Sequence, residues 1–442
     1  MPMRVLVISN LYPPHHVGGY ELGCRDVVDG LTARGHDVVV LTSMYGLSEP
    51  QSAGPIHRWL VADVEWTVAG LTKKYGDLWK REYVNQNAFK HLCRQYKPDV
   101  VYVWNLAHTS ISVAALAHRI GLPVCYFIFD YWLCDWESDP WHQCWNQKRR
   151  DFIDKVRGIL PTTIMKFRGV SILSSRLDLR HLHFASQYLK DSLLAAGKPV
   201  QSGTVIHWGI DLALWPCNTA IRPPTKLLYV GQIAPHKGVH TAVEALKVLV
   251  DQYHMTDVSL TILGPKSVSG YYSNLLALAD SLGMRNHIYF ISSLPREQLL
   301  PIYHRHDILL FPSVWDEPLG ITPLEAMASG LPVVGTATGG SAEMLQHEVN
   351  ALTFAKADAH ACAEQVSRLV WNPGLFRTLR TAGRRTVEER FTLGRMLDRI
   401  EVSLHRISQC SDQNPSHLPS GASGPRNPAR GSSEDTLRLT PR

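Results

Sequence analysis

The sequence has few features of a disulfide-rich, membrane-spanning or nucleic-acid-binding protein. Its eight cysteines include no C-x-x-C pair, which in a chain of this length favours reduced thiols over a disulfide framework. No apolar run reaches the about 18 residues that a transmembrane helix needs. The apolar run Val5–Ile8 is too short for a signal peptide. We therefore expect a cytoplasmic protein, with peripheral contact at the inner face of the membrane as a further hypothesis.

The balance of charge is only mildly basic. Lys and Arg number 45 against 39 Asp and Glu, a net charge of +6, and no long basic stripe occurs. This pattern disfavours nucleic acid as a partner and leaves phosphates or acidic lipids as the expected anions. The G-x-G-x-x-G fingerprint is absent as well, which disfavours a nicotinamide dinucleotide.

Short apolar runs alternate with amphipathic stretches along most of the chain, which is typical of parallel α/β sheets. The alternation runs through the first half and then starts again. The predicted strands are Arg4–Ile8, Asp37–Leu41, Val100–Val103, Val124–Phe129, His183–Ala185 and Thr204–Ile206, followed by Lys226–Val230, Val258–Leu263, His287–Phe290, Ile308–Phe311 and Pro332–Val334.

Helices are predicted between these strands, and the two halves meet at the Pro-rich stretch Trp215–Pro224. A chain of 442 residues is too long for one core. We predict an α/β protein of two Rossmann-like domains, 1–207 and 208–385, facing an interdomain cleft. A helix at about 386–408 is expected to pack back on the first domain. Residues 409–442, rich in Ser, Pro and Gly, are expected to be disordered.

The stretch WDEPLGITPLEAMASG, which follows a predicted buried strand, contains two carboxylates with different surroundings. Thr322, Pro323 and Glu325 read as a capping box, in which Glu325 would reach back to the Thr322 N–H. A ligand-binding role for Glu325 stays open beside that interpretation. Glu317 precedes a proline outside the helix, and no capping role explains it. The backbone N–H groups near Gly320, at a helix start, favour an anion.

Two glycine-containing loops follow other predicted strands. Gly18 and Gly19 in PPHHVGGYE allow a ligand to approach the backbone just before a helix. In YVGQIAPHKG, Gly231 permits close packing and Lys237 can reach a diphosphate as a point charge. A plain turn and a solvated lysine are the structural alternatives.

These motifs together resemble the retaining nucleotide-sugar glycosyltransferases of family four, the group 1 transferases, which have the GT-B fold. The strongest resemblance is PSVWDEPLGITPLEAMASGLPVVGTATGG, which is similar to the family's donor signature. The glycine pair Gly18-Gly19, the loop from Gly231 to Gly238, and VIHWGID also match, so that the resemblance spans roughly 1–408.

The resemblance implies a role for each matching residue. Glu325 would hold the ribose of the donor nucleotide, Glu317 would contact the donor sugar, and Lys237 would neutralise the leaving diphosphate. Asp130 would belong to the catalytic centre. The remaining donor-binding residues would be Gly18, Gly19, Gly231, Gln232, Leu319, Gly320 and Ile321. Such enzymes need no metal and no cofactor, and the sequence contains no D-x-D pair. The donor would be a UDP-, GDP- or ADP-sugar.

Two departures from the family pattern bear on activity. Gln232 stands where the family usually has Arg, and Phe129 precedes Asp130 where the family often has His. The resemblance implies transfer of a sugar to an acceptor hydroxyl with retention, in polysaccharide, glycolipid or glycoconjugate synthesis. These departures favour the alternative, an inactive nucleotide-sugar-binding or regulatory protein on the same fold. A nucleotide-sugar epimerase is a third and weaker interpretation.

The acceptor is expected to be a glycan or a lipid-linked molecule bound by the first domain. Four tryptophans between 132 and 145 could form a platform for sugar rings or a packed lid. The segment 148–168 predicts a basic amphipathic helix, which favours contact with an anionic membrane surface. A core-packing helix with a solvated basic face is the alternative.

Overall fold

A computed structural model describes residues 1–62, 75–134, 136–139, 177–218 and 224–410. The first part of the chain builds an eight-stranded sheet in the order β3-β4-β2-β1-β5-β6-β7-β8. Its pairs are parallel except for β3 with β4. The strands are β1 (Arg4–Ser9), β2 (Asp37–Ser43), β3 (Gln51–Ala53), β4 (Ile56–Leu60), β5 (Val100–Asn105), β6 (Val124–Ile128), β7 (Leu182–Phe184) and β8 (Thr204–Val205).

Helices cover this sheet and connect its strands. Because β1, β2, β5 and β6 pair in parallel, their carboxyl ends all lie at one edge of the sheet. The helices are α1 (Tyr20–Ala33), α2 (Tyr75–Tyr96), α3 (Ser112–Arg119) and α4 (Gln187–Ala195).

The second part of the chain builds a six-stranded parallel sheet in the order β11-β10-β9-β12-β13-β14. The strands are β9 (Lys226–Val230), β10 (Ser259–Leu263), β11 (Ile288–Ile291), β12 (Ile308–Phe311), β13 (Val333–Gly335) and β14 (Leu352–Thr353). The helices are α5 (Val239–Asp251), α6 (Tyr271–Ser281), α7 (Leu299–Arg305), α8 (Thr322–Ser329), α9 (Ala359–Trp371), α10 (Pro373–Arg390) and α11 (Leu393–Cys410).

Burial follows the apolar runs of the sequence. The central strands β5 and β12 are buried along their whole length, as expected where helices cover both faces of a parallel sheet. The prediction of two parallel α/β units is therefore confirmed. The short antiparallel pair β3–β4, which turns at Gly54–Pro55, was not predicted because QSAGPIHRWL has few apolar residues. No helix among the described residues is long and apolar enough to cross a membrane.

The chain passes between the two sheets twice, after β8 and again between α10 and α11. The two crossings are hydrogen-bonded to each other, because Ile210 N–H donates to Phe391 O and Leu393 N–H donates to Ile210 O, both at 2.9 Å. Helix α11 then packs on the first sheet and on α1, where Leu397 lies against Gly30.

A polar network is buried under the first sheet where α11 meets it. The Nδ1 atom of His183, in β7, lies 2.9 Å from Tyr102 Oη, and its Nε2 atom lies 2.7 Å from Ser403 Oγ. Cys125 Sγ is 3.6 Å from the same ring. Burial lowers the pKa of His183 to about 3, so the imidazole is neutral in the folded protein throughout the neutral range.

This network predicts a loss of stability in acid. The unfolded chain binds a proton at His183 below its ordinary pKa of about 6.5, and the folded chain does not. The free energy of unfolding therefore has its full value above that pH. It decreases as the pH drops towards 3, by about 2 kcal/mol at pH 5. Urea unfolding of the wild type and of His183→Gln at pH 7.5 and 5.0 measures this loss of stability. A variant that loses as much stability between the two pH values as the wild type would contradict the assignment.

Candidate functional site

The signature loop, residues 312–321, leaves β12 at its carboxyl end and carries Glu317, which forms an ion pair with Lys237 of the loop after β9. Lys237 Nζ lies 2.8 and 2.9 Å from the two carboxylate oxygens of Glu317. Ser313 Oγ donates to Glu317 Oε1 at 2.8 Å, and the Lys237 ammonium lies 5.0 Å from the centre of the Trp315 ring. Glu317 is only 5% exposed. The pair places a cation and a carboxylate together at the edge where ligands gather in α/β sheets.

A close contact between two loops positions this pair. Lys237 ends a short 3₁₀ turn after β9, and Gly238 follows with φ +66°. A Cβ atom on Gly238 would lie 1.9 Å from Pro312 O, so only glycine fits. Val314 N–H donates to His236 O at 3.0 Å. The loop after β9 and the signature loop therefore form one unit.

Glu325 lies in α8 and does not form the predicted capping box. The helix begins at Thr322, its N-cap is Ile321, and no side chain caps it. Instead, Tyr303 Oη donates to Glu325 Oε2 at 2.8 Å. Burial raises the pKa of Glu325, and the nearby Arg296 guanidinium opposes that rise. The capping-box interpretation was wrong because α8 starts one residue earlier than the sequence suggests. The carboxylate of Glu325 therefore bonds to a buried tyrosine and not to the helix start.

The amides of the signature loop lie between the two carboxylates. Gly320 has φ +89°, and a Cβ there would meet the Phe311 ring at 2.9 Å. Within the described part of the chain, the N–H groups of Leu319, Gly320 and Ile321 donate to no protein acceptor. These groups stay available for an anion.

The signature loop touches the first sheet's loops across the cleft. A Cβ atom on Gly19 would lie 2.6 Å from Ile321 Cδ1, and the hydroxyl of Ser186 donates to Pro318 O. The structure therefore brings Gly19 of the predicted glycine pair against the predicted donor-binding loop, whereas the position of Gly18 faces Glu21 and Tyr20.

Glu21, at the start of α1, was not singled out from the sequence. Its carboxylate accepts the N–H groups of Val17 at 3.0 Å and of Gly18 at 3.1 Å. Burial raises its pKa, and those two hydrogen bonds oppose the rise. The Gly18 amide is thus occupied by the protein's own carboxylate. The sequence did offer a signal for Glu21: it is an acidic residue two positions after the glycine pair, in the first turn of a helix.

Asp130 lies at the carboxyl end of β6, on the first sheet's side of the cleft. Trp132 N–H donates to its Oδ1 atom at 3.0 Å and Asn105 Nδ2 donates to its Oδ2 atom at 2.9 Å. Enclosure by protein raises its pKa to about 6, and the Glu21 carboxylate adds to that rise. Among the described residues, no direct contact joins Asp130 to the Lys237–Glu317 pair.

At Phe129 and Gln232, the two positions that depart from the family pattern, the structure shows ordinary packing and backbone hydrogen bonding. Phe129 packs on Trp208 with ring centroids 4.4 Å apart, so it fills apolar space and offers no hydrogen bond. Gly231 has φ +153°, and Gln232 accepts the Tyr229 hydroxyl at 2.7 Å through its backbone oxygen. Lys237 is therefore the cation that the loop after β9 places against the signature loop.

Glu343, in the turn that follows β13, connects the two sheets. Its carboxylate accepts the N–H groups of Gln187 at 3.1 Å and of Tyr188 at 2.8 Å, at the start of α4, and lies 2.7 Å from His207 Nε2. Burial opposes its ionisation, but the hydrogen bonds from His207 and the two amides outweigh burial and lower its pKa.

One His/Glu cluster lies far from the cleft, where His36 and His405 approach Glu401 with ligand atoms within 4.8 Å of one another. Met3 N–H donates to His36 Nδ1 at 3.1 Å, so the proton of the neutral imidazole is on Nε2, facing Glu401. A metal would need that nitrogen bare. The cluster is explained as a junction between α11 and the turn after α1.

Several predictions concern residues outside those that the structure describes. These are the basic amphipathic segment 148–168, two of the four tryptophans, Trp141 and Trp145, and nearly all of the tail 409–442.

The two facing parallel sheets and the cleft between them have the architecture of GT-B glycosyltransferases. Sucrose-phosphate synthase from Thermosynechococcus elongatus superposes with a TM-score of 0.68 at 18% identity, covering 92% of this chain and 100% of that one. Anabaena HepE, in complex with UDP-glucose, superposes with a TM-score of 0.65 at 18% identity, covering 91% and 100%.

Sequence similarity gives the family. Residues 17–214 match Glycosyltransferase Family 4, and residues 218–386 match Glycosyl transferases group 1. Glycogen synthase of Mycobacterium tuberculosis is 27% identical over 414 residues, which are 88% of this chain and 91% of that protein. The chain belongs to the group 1, family 4 glycosyltransferases.

The contact at Gly238 predicts that Gly238→Ala separates the two loops that carry Lys237 and Glu317. Gly270 is the control, because it has φ +79° but nothing within 4 Å of its Cβ position. Both variants bear the cost of left-handed alanine, about 1–2 kcal/mol. Gly238→Ala should lower the melting temperature further, because its methyl group also meets Pro312 O. Equal melting temperatures for the two variants would contradict the contact.

Proposed function

We propose that this glycosyltransferase moves a sugar from a nucleoside diphosphate sugar to an acceptor hydroxyl with retention at the anomeric carbon. The bond from that carbon to the diphosphate oxygen breaks, and a bond to the acceptor oxygen forms. The acceptor's proton leaves with the diphosphate. The Lys237–Glu317 pair carries this proposal, because it puts a cation and a sugar-binding carboxylate beside free amides.

The donor would lie along the signature loop. Glu325 would accept the ribose hydroxyls, and Lys237 with the amides of Leu319, Gly320 and Ile321 would stabilise the diphosphate. Glu317 would accept hydroxyls of the sugar. Lys237 and these amides would stabilise the negative charge of the leaving diphosphate, and we therefore propose that transfer is independent of metal ions. Unchanged turnover in EDTA would support this.

The donor and the acceptor are proposed as classes. UDP-glucose is the first donor to test, because HepE, which has the same fold, is seen with UDP-glucose; GDP- and ADP-sugars follow. We propose a glycan or lipid-linked acceptor at the first sheet's side of the cleft, in polysaccharide, glycolipid or glycoconjugate synthesis. Action in the cytoplasm, with contact at the inner face of the membrane, completes the proposal.

The alternative is an inactive protein that binds nucleotide sugars. Phe129, packed on Trp208, and the uncharged Gln232 favour it. Incubating the protein with UDP-glucose, GDP-mannose and ADP-glucose, and following release of the nucleoside diphosphate, separates the two. Binding of a nucleotide without transfer or hydrolysis would support the alternative.

Removal of either member of the ion pair should nearly abolish transfer. Lys237→Ala leaves the leaving diphosphate without its cation, and Glu317→Gln removes the carboxylate that would hold the sugar. Each loss should lower kcat by about 10²–10³-fold, as removal of one electrostatic donor does in other enzymes. Rates are measured by release of the nucleoside diphosphate from saturating donor.

Lys356→Ala is the matched control, because Lys356 pairs with Asp316 of the same loop at 2.6 Å but on its exposed side. Surface pairs of this kind contribute about 0–1 kcal/mol, so this variant should keep the wild-type rate. Near-normal turnover in both Lys237→Ala and Glu317→Gln would refute the assignment.

Asp130 predicts an acidic limb in the pH profile. Its pKa is raised to about 6, so below that pH it is a neutral acid, which is a weaker hydrogen-bond acceptor for a substrate hydroxyl than the carboxylate. The kcat/KM value should fall about tenfold per pH unit below 6. Asp130→Asn should be slow at all pH values and lack that limb. An unchanged limb in the variant would assign it to another group.

A further inference from the structure

Two hydroxyl groups on the first sheet's side of the cleft bind the main chain of the signature loop. Tyr131 Oη, just after β6, donates to Asp316 O at 3.0 Å. The hydroxyl of Ser186, at the start of α4, donates to Pro318 O. These two carbonyl groups come directly before and directly after Glu317. The carboxylate of the ion pair is therefore carried by a residue that the opposite sheet holds on both sides.

The carbonyl group between them, that of Glu317 itself, is bound from the second sheet. Gly340 N–H donates to Glu317 O at 2.7 Å. A Cβ atom on Gly339 would lie 2.4 Å from the same oxygen, and one on Gly340 would lie 2.0 Å from Pro318 O. Three consecutive carbonyl groups thus have partners, two across the cleft and one within the second sheet's side.

The direction of the Ser186 hydroxyl is fixed by the helix that it caps. Ser186 is the N-cap of α4, and its Oγ atom accepts Leu189 N–H at 3.1 Å. Because a hydroxyl group has one proton, that proton remains for Pro318 O. The Glu343 carboxylate accepts the next two amides of α4. The start of this helix is therefore held against the second sheet's side at two points.

Tyr131 links the signature loop to the candidate acceptor side. It directly follows Asp130 in the sequence, and its ring packs edge-on against Trp315, with centroids 5.8 Å apart. One hydrogen bond, from Tyr131 to Asp316, thus joins the neighbour of Asp130 to the neighbour of Glu317. The two carboxylates do not touch, but the main chain that carries each is tied to the other.

We propose that Tyr131 and Ser186 are positioning residues for Glu317: their hydroxyls hold the main chain on both sides of it, and so fix the sugar-binding carboxylate relative to the first sheet and Asp130. A catalytic group must be held to within about 0.5 Å to act efficiently. This inference rests on the proposed role of Glu317 at the donor sugar.

The first test compares turnover with nucleotide binding. Tyr131→Phe and Ser186→Ala each remove one hydroxyl, and each should lower kcat about fivefold, as expected for the loss of one neutral hydrogen bond. Affinity for UDP, GDP and ADP should stay near the wild-type value, because these ligands lack the sugar that Glu317 would hold. Release of the nucleoside diphosphate from saturating donor gives kcat, and isothermal titration gives the affinities.

A double-mutant cycle tests whether the two hydroxyls act through Glu317. In a Glu317→Gln background, Tyr131→Phe and Ser186→Ala should each change kcat less than about twofold, because the group that they position is already lost. A fivefold loss in both backgrounds would mean that the hydroxyls act independently of the carboxylate, and would refute the inference.

Hydrogen exchange of the full chain gives a readout that does not depend on turnover. The Gly340 amide bonds to Glu317 O, so its exchange reports how firmly this part of the loop is held. In the double variant Tyr131→Phe with Ser186→Ala, a peptide containing Gly340 should exchange at least about fivefold faster than in the wild type. Unchanged exchange would contradict the hold on the loop.

Two control variants match the lost hydrogen bonds at sites away from the cleft. Tyr96 also donates its hydroxyl to a backbone oxygen, that of Asp37 at the amino end of β2, so Tyr96→Phe matches Tyr131→Phe. Asn372 caps α10 by accepting Leu375 N–H at 2.9 Å, so Asn372→Ala matches the loss of a helix cap in Ser186→Ala. Both controls should keep the wild-type kcat and the wild-type exchange at Gly340.

The outcomes separate this inference from the proposed function. If Glu317→Gln is slow but Tyr131→Phe and Ser186→Ala both turn over as the wild type does, the inference is wrong and the role of Glu317 stands. If Glu317→Gln itself transfers at the wild-type rate, the proposed role of Glu317 is wrong, whatever the exchange at Gly340 shows.

Discussion

The ion pair between Lys237 and Glu317 imposes the constraint on which the rest of the site depends. Two opposite charges with little exposure are stable only if their geometry is good and their other hydrogen-bonding positions have partners. Ser313 and the Trp315 ring satisfy them from the same loop, and the contact of Gly238 with Pro312 holds the two loops in register. The ammonium has a third N–H, which under the proposed function would donate to a phosphate oxygen while the Glu317 carboxylate stays in place.

The seam between the two sheets is lined with carboxylates, and each one is held by different donors. Backbone amides hold Glu21, a tyrosine hydroxyl holds Glu325, and a histidine with two amides holds Glu343. The oxygens of Glu21 and Glu343 accept from amides and a histidine, whereas Oε1 of Glu325 has no hydrogen-bond partner among the described residues. Glu343 also fills the helix terminus of α4, which is an anion site in its own right. Under the proposed function, a phosphate would therefore bind at the amides of the signature loop and not at α4.

The fold could be predicted from the sequence because its strands are short, continuous apolar runs, and parallel sheets require such runs. The loops carrying Lys237 and Glu317 were predicted for a related reason, since glycine and proline mark strand ends clearly. The partners of the site residues were not predicted. Tyr303 lies in the short helix α7, and only tertiary packing brings its hydroxyl to Glu325. The capping-box prediction failed because it considered only neighbouring residues. The Glu325 carboxylate instead accepts a hydrogen bond from a buried tyrosine that is 22 residues distant in sequence.

The two chain crossings between the sheets lie side by side and are hydrogen-bonded through Ile210, Phe391 and Leu393. Two covalent links at neighbouring points leave a rigid pair of bodies with little freedom to twist or slide, but they permit rotation about the line that contains both links. In a rotation of that kind, each contact across the seam would open in proportion to its distance from the paired crossings, and the hydrogen bonds between the crossings would stay in place.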